Sequence, residues 1–189
     1  MDLLNEILVL GKPSIFIKIY EEEIFNLIPE LEYGKGFDQK NKWHIYDVYS
    51  HIMHVVDNVD FDYELRLAAL FHDIGKPYVY SEDDDGIGHF YGHWDKSKEI
   101  FIDFAKRNRL DERVIKRVSK LIEYHDINID NMSESELNLL ISSFSREELI
   151  MLFKLKKADL LAQNSEYHYL MENYFRPADM VLKLKDSLI

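Results

Sequence analysis

Apolar residues in this chain recur at three- and four-residue steps, and only 7 Gly and 4 Pro interrupt them across 189 residues. That period belongs to amphipathic helices, while the alternating runs of β-branched residues that build strands are missing. The pattern predicts an all-α chain, with helices over 2–10, 13–28, 44–59, 61–72, 94–108, 111–125, 134–143, 146–163 and 177–188. Pro13, after Gly11, suits a first-turn position. Ser133 with Glu136, and Ser145 with Glu148, fit the Ser-x-x-Glu capping box, and Asp111 is a good N-cap. Glu32–Lys42 and Lys76–Gly92 read as loops. The acidic run Ser81 to Gly86 lacks the twelve-residue ligand pattern of an EF-hand and reads as a solvated loop. Pro177 reads as the start of a last helix, with Met180, Val181, Leu184 and Leu188 as its apolar stripe, covering the core or making a dimer contact.

Charge narrows the function. With 23 Lys+Arg against 35 Asp+Glu the net charge is −12, which argues against a protein whose task is gripping nucleic-acid backbone. A phosphate substrate stays admissible if a bound cation reverses the field locally. One basic stretch, Lys106-Arg107-Asn108-Arg109 with Arg113, Lys116, Arg117 and Lys120, offers a candidate RNA surface, though a solvated helix face explains it as well. Cysteine is absent, so disulfides and thiolate zinc sites are excluded, and any metal must be held by nitrogen and oxygen. The length suits a single domain, and neither a Pro/Gly/Ser-rich linker nor a repeat divides it. Uncharged runs are no longer than that of Leu137 to Ser145, nine residues, and MDLLNEILVL has no basic n-region. A cytoplasmic protein, without membrane contact, is the expectation.

The informative feature is where polar residues fall relative to the apolar stripes. Val114, Val118 and Leu121 lead on to His125; Leu152 and Leu155 lead to Asp159; Leu65, Ala68 and Ala69 lead to His72. His51 lies at the edge of the stripe Val48, Ile52, Val55 and Val59. A lone histidine on such a stripe is ordinarily a core residue bonded to a backbone carbonyl. Asp159 is harder to explain, because an unpaired buried carboxylate neutralises or finds a partner. Shared ligation of a divalent metal accounts for all four together. The strongest local signal is Phe71-His72-Asp73-Ile74-Gly75-Lys76-Pro77, where a helix ends in His-Asp, Gly75 permits the turn and Pro77 prevents continuation.

His51, then His72-Asp73, then Asp159, resembles the H…HD…D signature of the HD-domain metal-dependent phosphohydrolases. HIYDVYSH (44–51), LAALFHDIGKP (67–77), HFYGH (89–93) and LIEYHD (121–126) are similar to the HD domain of bacterial CCA-adding tRNA nucleotidyltransferases. NLIPEL (26–31) resembles the connecting region before it. The likeness covers about residues 1–165 and implies an HD-domain helical bundle with flanking N- and C-terminal helices. The expected division is a lead-in over 1–43, an HD core over 44–165 and a helical extension over 166–189. No counterpart of the nucleotidyltransferase head precedes it, so a stand-alone HD module is expected. The HDxxED pattern of the guanosine-tetraphosphate hydrolases is missing too, since Pro77 follows Lys76.

Carried over residue by residue, the resemblance implies that His51, His72, Asp73 and Asp159 bind a first divalent ion (Mn, Ni, Co, Fe, Mg or Zn). His93 and His125 match histidines that hold a second ion or contact phosphate, with Asp73 then bridging. Lys76 falls where the family lysine meets phosphate oxygens. His44 is less secure, His54 reads as exposed or supporting, His89 as loop surface, and His168 lies outside the likeness. The implied activity is metal-dependent phosphatase or phosphodiesterase chemistry on small phosphorylated substrates. Nucleotides come first among them, the 2′,3′-cyclic and 2′-nucleotides in particular, with Asp73 as general base and Lys76, His93 and His125 steadying charge. A 5′-nucleotidase, a di-iron oxygenase on the same scaffold and a non-catalytic tRNA- or RNA-binding or assembly module are the alternatives. The oligomeric state is not legible.

Overall fold

The computed structural model describes residues 1–187, leaving out the side chains of 170, 172 and 173. Four short helices lead in: α1 (Asp2–Leu8), α2 (Pro13–Ile19) with Pro13 in its first turn, α3 (Glu21–Leu27) and α4 (Pro29–Glu32). The single helix expected over 13–28 is interrupted at Tyr20 (φ −106°, ψ 35°). It stops at Ile28 (φ −132°, ψ 75°), because a residue before proline is pushed out of the helical region. Ile17, Ile24 and Leu31 still turn inward and are buried.

α5 (Val48–Asn58) begins four residues later than the apolar period suggests. Asp47 leaves the helical region (φ −62°, ψ 166°) to accept the Ser50 N–H at 2.6 Å, which frees His44 from the helix. Asp62 caps α6 (Tyr63–Phe71) in the same way, at 2.8 Å from the Leu65 nitrogen. The expected loop over 76–92 holds more structure: a single turn, α7 (Lys76–Val79), and an antiparallel ribbon of β1 (Ser81–Glu82) with β2 (Gly88–His89). The acidic run is the turn of that ribbon. Asp83 Oδ1 accepts the N–H groups of Asp85 (3.1 Å) and Ile87 (2.9 Å), and Gly86 takes the left-handed φ of 77°. α8 (His93–Arg107) follows, then α9 (Glu112–Tyr124), capped by Asp111. α10 (Glu134–Ser143) and α11 (Arg146–Leu161) each open on the reciprocal capping box read from the sequence.

α6 is the axis. Residues 65–71 are all buried, which marks a helix surrounded on every side. It packs between α5 and α9; α11 closes on both, and α8 lies on α9 and α7. Arg66, on α6, is 1% exposed and donates to the carbonyls of Leu8 (2.6 Å) and Leu10 (2.5 Å), satisfying the orphan end of α1. Beyond α11 the Asn164 N–H donates to the Trp43 carbonyl at 2.8 Å, tying the exit of the bundle to its entrance.

The last helix departs from expectation. α12 (Met171–Asp186) starts before Pro177 and runs through it, forgoing the one N–H bond that proline cannot donate. Its inward face is Ala178 and Val181, 3% and 1% exposed, while Met180 and Leu184 face solvent; Leu188 lies outside the described residues. α12 therefore packs on the core, against α10 and α11. Among the described residues no helix is long and apolar enough to cross a membrane.

Gly75 matters for packing rather than for its turn. Its φ of −79° is open to any residue, but a Cβ there would lie 2.6 Å from the Ser97 nitrogen and 2.7 Å from the His93 carbonyl. Both are backbone atoms of α8, so neither yields easily. Gly75→Ala is expected to destabilise the protein by about 1–3 kcal/mol in urea unfolding, by forcing α7 away from α8. An unchanged midpoint would show that this approach is not tight.

Candidate metal centre

Six side chains singled out in the sequence meet at one point. His51 comes from α5, His72 and Asp73 from the turn after α6, His93 from the first residue of α8, His125 from the end of α9 and Asp159 from α11. None is more than 5% exposed. Asp73 is the hub. Its Oδ2 lies 3.2 Å from Nε2 of both His51 and His72; its Oδ1 lies 3.2 Å from His93 Nε2 and 3.5 Å from His125 Nε2. Asp159 Oδ1 is 3.1 Å from His51 Nε2. Two candidate ligand groups result, His51/His72/Asp73/Asp159 and Asp73/His93/His125, the donor atoms of each lying within 4.8 Å of one another.

Backbone carbonyls fix how three of the rings point. Nδ1 of His72, His93 and His125 lies 2.8, 2.9 and 2.7 Å from the carbonyls of Ala69, Phe90 and Ile122. A carbonyl only accepts, so each Nδ1 carries a proton, and in the neutral ring that a metal ligand requires Nε2 presents a lone pair. In that state the lone pairs of His93 and His125 face each other, Nε2 to Nε2 at 3.2 Å. His72 Nε2 lies 3.4 Å from Nε2 of His51; burial pushes His51 down, but the Asp159 and Asp73 carboxylates outweigh it and draw that ring toward the charged form. Asp73 Oδ1, buried between two rings, accepts no hydrogen bond. Opposed acceptors in a buried site are costly, and a cation among them satisfies them together. The set is all nitrogen and oxygen, so the residues present fit a first-row divalent ion.

The electrostatics agree. Burial pushes the Asp73 carboxyl up, but the surrounding His72 imidazole, the Lys76 charge and polar contacts with His125 and His51 outweigh it and hold the group well below the usual carboxylate range. Asp159 is likewise raised by burial and brought down further by Lys156 and His51. Burial pushes His125 down, toward the neutral ring that a ligand requires. Lys76 Nζ donates to Asp73 Oδ2 at 2.7 Å and to Gln39 Oε1 at 2.8 Å, and lies 3.3 Å from His44 Nε2. Burial, then the Lys76 charge, push His44 down to about 2, so it stays a neutral acceptor.

Sequence reasoning passed over three supporting residues. Lys156, 7% exposed, donates to Asp126 (2.7 Å) and Asp159 (3.4 Å), and it sits one turn before Asp159 on an inward face, a signal that was there to be read. Gln163 donates to Asp159 Oδ1 at 3.4 Å. Gln39 comes from an expected loop and carried no signal. Of the remaining histidines, His54 is exposed and stacks on Tyr46, His89 pairs with Asp83 on the ribbon, and neither they nor His168 joins a ligand group. Four of the seven basic residues in the stretch are paired: Arg107 with Glu30, Arg113 with Asp111, Arg117 with Glu64 and Lys120 with Glu148. A cavity of about 220 Å³ opens onto Asp73, Lys76, His125 and Asp159.

Residues 43–164 match the family described as HD domain. The chain is similar to the A-adding tRNA nucleotidyltransferase of Deinococcus radiodurans, 32% identical over 108 residues that cover 54% of this chain and 25% of that protein. It is also similar to the CC-adding tRNA nucleotidyltransferase of Thermus thermophilus, 31% identical over 142 residues that cover 71% of this chain and 32% of that protein. The chain thus spans about a quarter to a third of the length of these curated relatives. With the matched segment enclosing every residue of the His/Asp cluster, the chain belongs to the HD domain family, at the superfamily level one of metal-dependent phosphohydrolases.

Proposed function

We propose that this chain hydrolyses phosphate esters of nucleotides with the help of a divalent metal, 2′,3′-cyclic and 2′-nucleotides being the first substrates to test. The observation that supports it best is the confrontation of the His93 and His125 lone pairs beside Asp73, at the inner end of an open cavity. In this reading His51, His72, Asp73 and Asp159 hold one ion, and Asp73 Oδ1 with His93 and His125 holds a second or meets a phosphate oxygen. Such an ion supplies positive charge to the phosphoryl oxygens and brings the pKa of water toward ~7.

The chain's own groups do the rest. Asp73 stays ionised at neutral pH, as both a ligand and a proton acceptor must, and its Oδ1 is the oxygen free to take a proton when only the first group is filled. Lys76 is held in the cavity wall by Asp73 and Gln39, a fixed ammonium for charge developing on the phosphate. Lys156 draws Asp159 Oδ2 outward at 3.4 Å and leaves Oδ1 turned to His51. Similarity to two tRNA nucleotidyltransferases favours a nucleotide over other esters. The pairing of four residues of the basic stretch favours a small nucleotide over an RNA strand.

Chelator treatment is expected to lower the melting temperature, and Mn²⁺, Ni²⁺, Co²⁺ or Mg²⁺ to restore it, adding about 2.7 kcal/mol at a hundredfold excess over Kd. Metal-dependent turnover of 2′,3′-cyclic AMP or of 2′-, 3′- or 5′-AMP should accompany the rise, and Asp73→Ala should lose both. A metal-stabilised protein that turns over none of these esters would refute the hydrolase. Lys76→Met is expected to lower kcat by about 10²–10³-fold while the metal-induced rise in melting temperature persists. Loss of that rise as well would mean that Lys76 acts by setting the charge of Asp73.

A further inference from the structure

The mouth of the cavity carries an aromatic feature that ligation and hydrolysis leave unused. Tyr91 is 74% exposed, yet it lines the same cavity as Asp73 and Lys76. The His89 imidazole lies parallel to its ring in an offset stack, with centroids 5.3 Å apart and planes within 8°. The stack is anchored: His89 Nε2 donates to Asp83 Oδ2 at 2.9 Å, and its Nδ1 lies 3.4 Å from the Tyr91 hydroxyl. Asp83 in turn organises the acidic turn of the ribbon, so the β1–β2 hairpin is tied to this ring through His89. Two residues after Tyr91 comes His93, so the ring stands within about 7 Å of backbone from a candidate ligand. Trp94 lines the cavity beside it.

The cavity holds about 220 Å³, less than the ~300–1,000 Å³ of pockets that enclose a drug-sized ligand. A phosphate bound at Asp73 and Lys76 therefore leaves the far end of its ester outside, at the rim where Tyr91 stands. We propose that Tyr91, backed by His89, is a stacking shelf for the base of a nucleotide, and that it determines specificity for esters bearing an aromatic base. The inference rests on the phosphohydrolase reading and names the feature that selects its substrate. Every base has a π-face, so a shelf of this kind accepts all four with little distinction. His89 is committed to Asp83 and Gln163 to Asp159, which leaves base edges weakly read.

The test is calorimetric binding of 2′-, 3′- and 5′-AMP and of ribose 5-phosphate to the Mn²⁺-loaded full chain, with turnover of these esters and of 2′,3′-cyclic AMP measured alongside. The wild type is expected to bind its preferred AMP isomer roughly tenfold more tightly than ribose 5-phosphate, the scale of one base–aromatic stack. Tyr91→Ala should reduce that ratio to about one, and Tyr91→Phe should preserve it. A wild type that does not distinguish the ligands, or a Tyr91→Ala protein that keeps the preference, would overturn the shelf. A preference that depends on Tyr91 without turnover of any ester would uphold the shelf and overturn the hydrolase, so the two fail separately.

Discussion

Removing a carboxylate from water costs several kcal/mol unless charge and hydrogen bonds replace the solvent. Asp73 is 2% exposed, and the bundle is arranged to meet that cost. No single helix could crowd four imidazoles and an ammonium onto one carboxylate, since neighbours on a helix recur only at three and four residues. The groups come instead from α5, α8, α9 and the turns on either side of Asp73, with α11 contributing the second carboxylate. α6 is buried on every side, so that the turn following it, where Asp73 sits, falls in the middle of the others. Its small residues Ala68 and Ala69, both fully buried, let the flanking helices come close.

The same constraint explains why the polar interior is layered. Asp73 and the histidines form the inner layer. Around it stand groups whose charges answer theirs: Lys76 held by Gln39 and His44 on one side, Lys156 held by Asp126 and Asp159 on the other. Each lysine is nearly buried and each bonds at least two oxygens, as a charge that leaves water must. The carbonyls three residues before His72, His93 and His125 complete the arrangement by orienting the rings; those of Phe90 and Ile122 also accept a backbone N–H, using the second lone pair that a carbonyl oxygen offers.

The helices were legible because caps and period reinforce one another. Ser133/Glu136, Ser145/Glu148 and Asp111 start helices where local chemistry says they should, and His125, Asp159 and His72 follow inward stripes that any helix phase would carry to the core. What escaped reading depends on contacts remote in sequence. Nothing near Gln39 announces that it will meet Lys76, thirty-seven residues away. Asp47 looked like an interior position of a helix and turned out to begin it, which alone released His44 toward Lys76. Gly75 suggested a turn residue, but its small size is demanded by α8, and that requirement is visible only once α7 and α8 are packed. Pro177 misled for a related reason: packing of Ala178 and Val181 on α10 and α11 holds the helix through a residue that local rules would place at its start.

The bond from the Asn164 N–H to the Trp43 carbonyl closes a loop of chain around the entire His/Asp cluster. Its two ends are the ends of the segment shared with the HD domain family. A segment whose ends meet behaves as a cassette: it can be spliced into different polypeptides, or left between different flanking pieces, without prising apart its interior. Its insulation is partial: Gln39, outside the segment, holds Lys76, and the carbonyls of Leu8 and Leu10 hold Arg66, so the attached pieces must resupply these bonds if the environment of Asp73 is to stay the same.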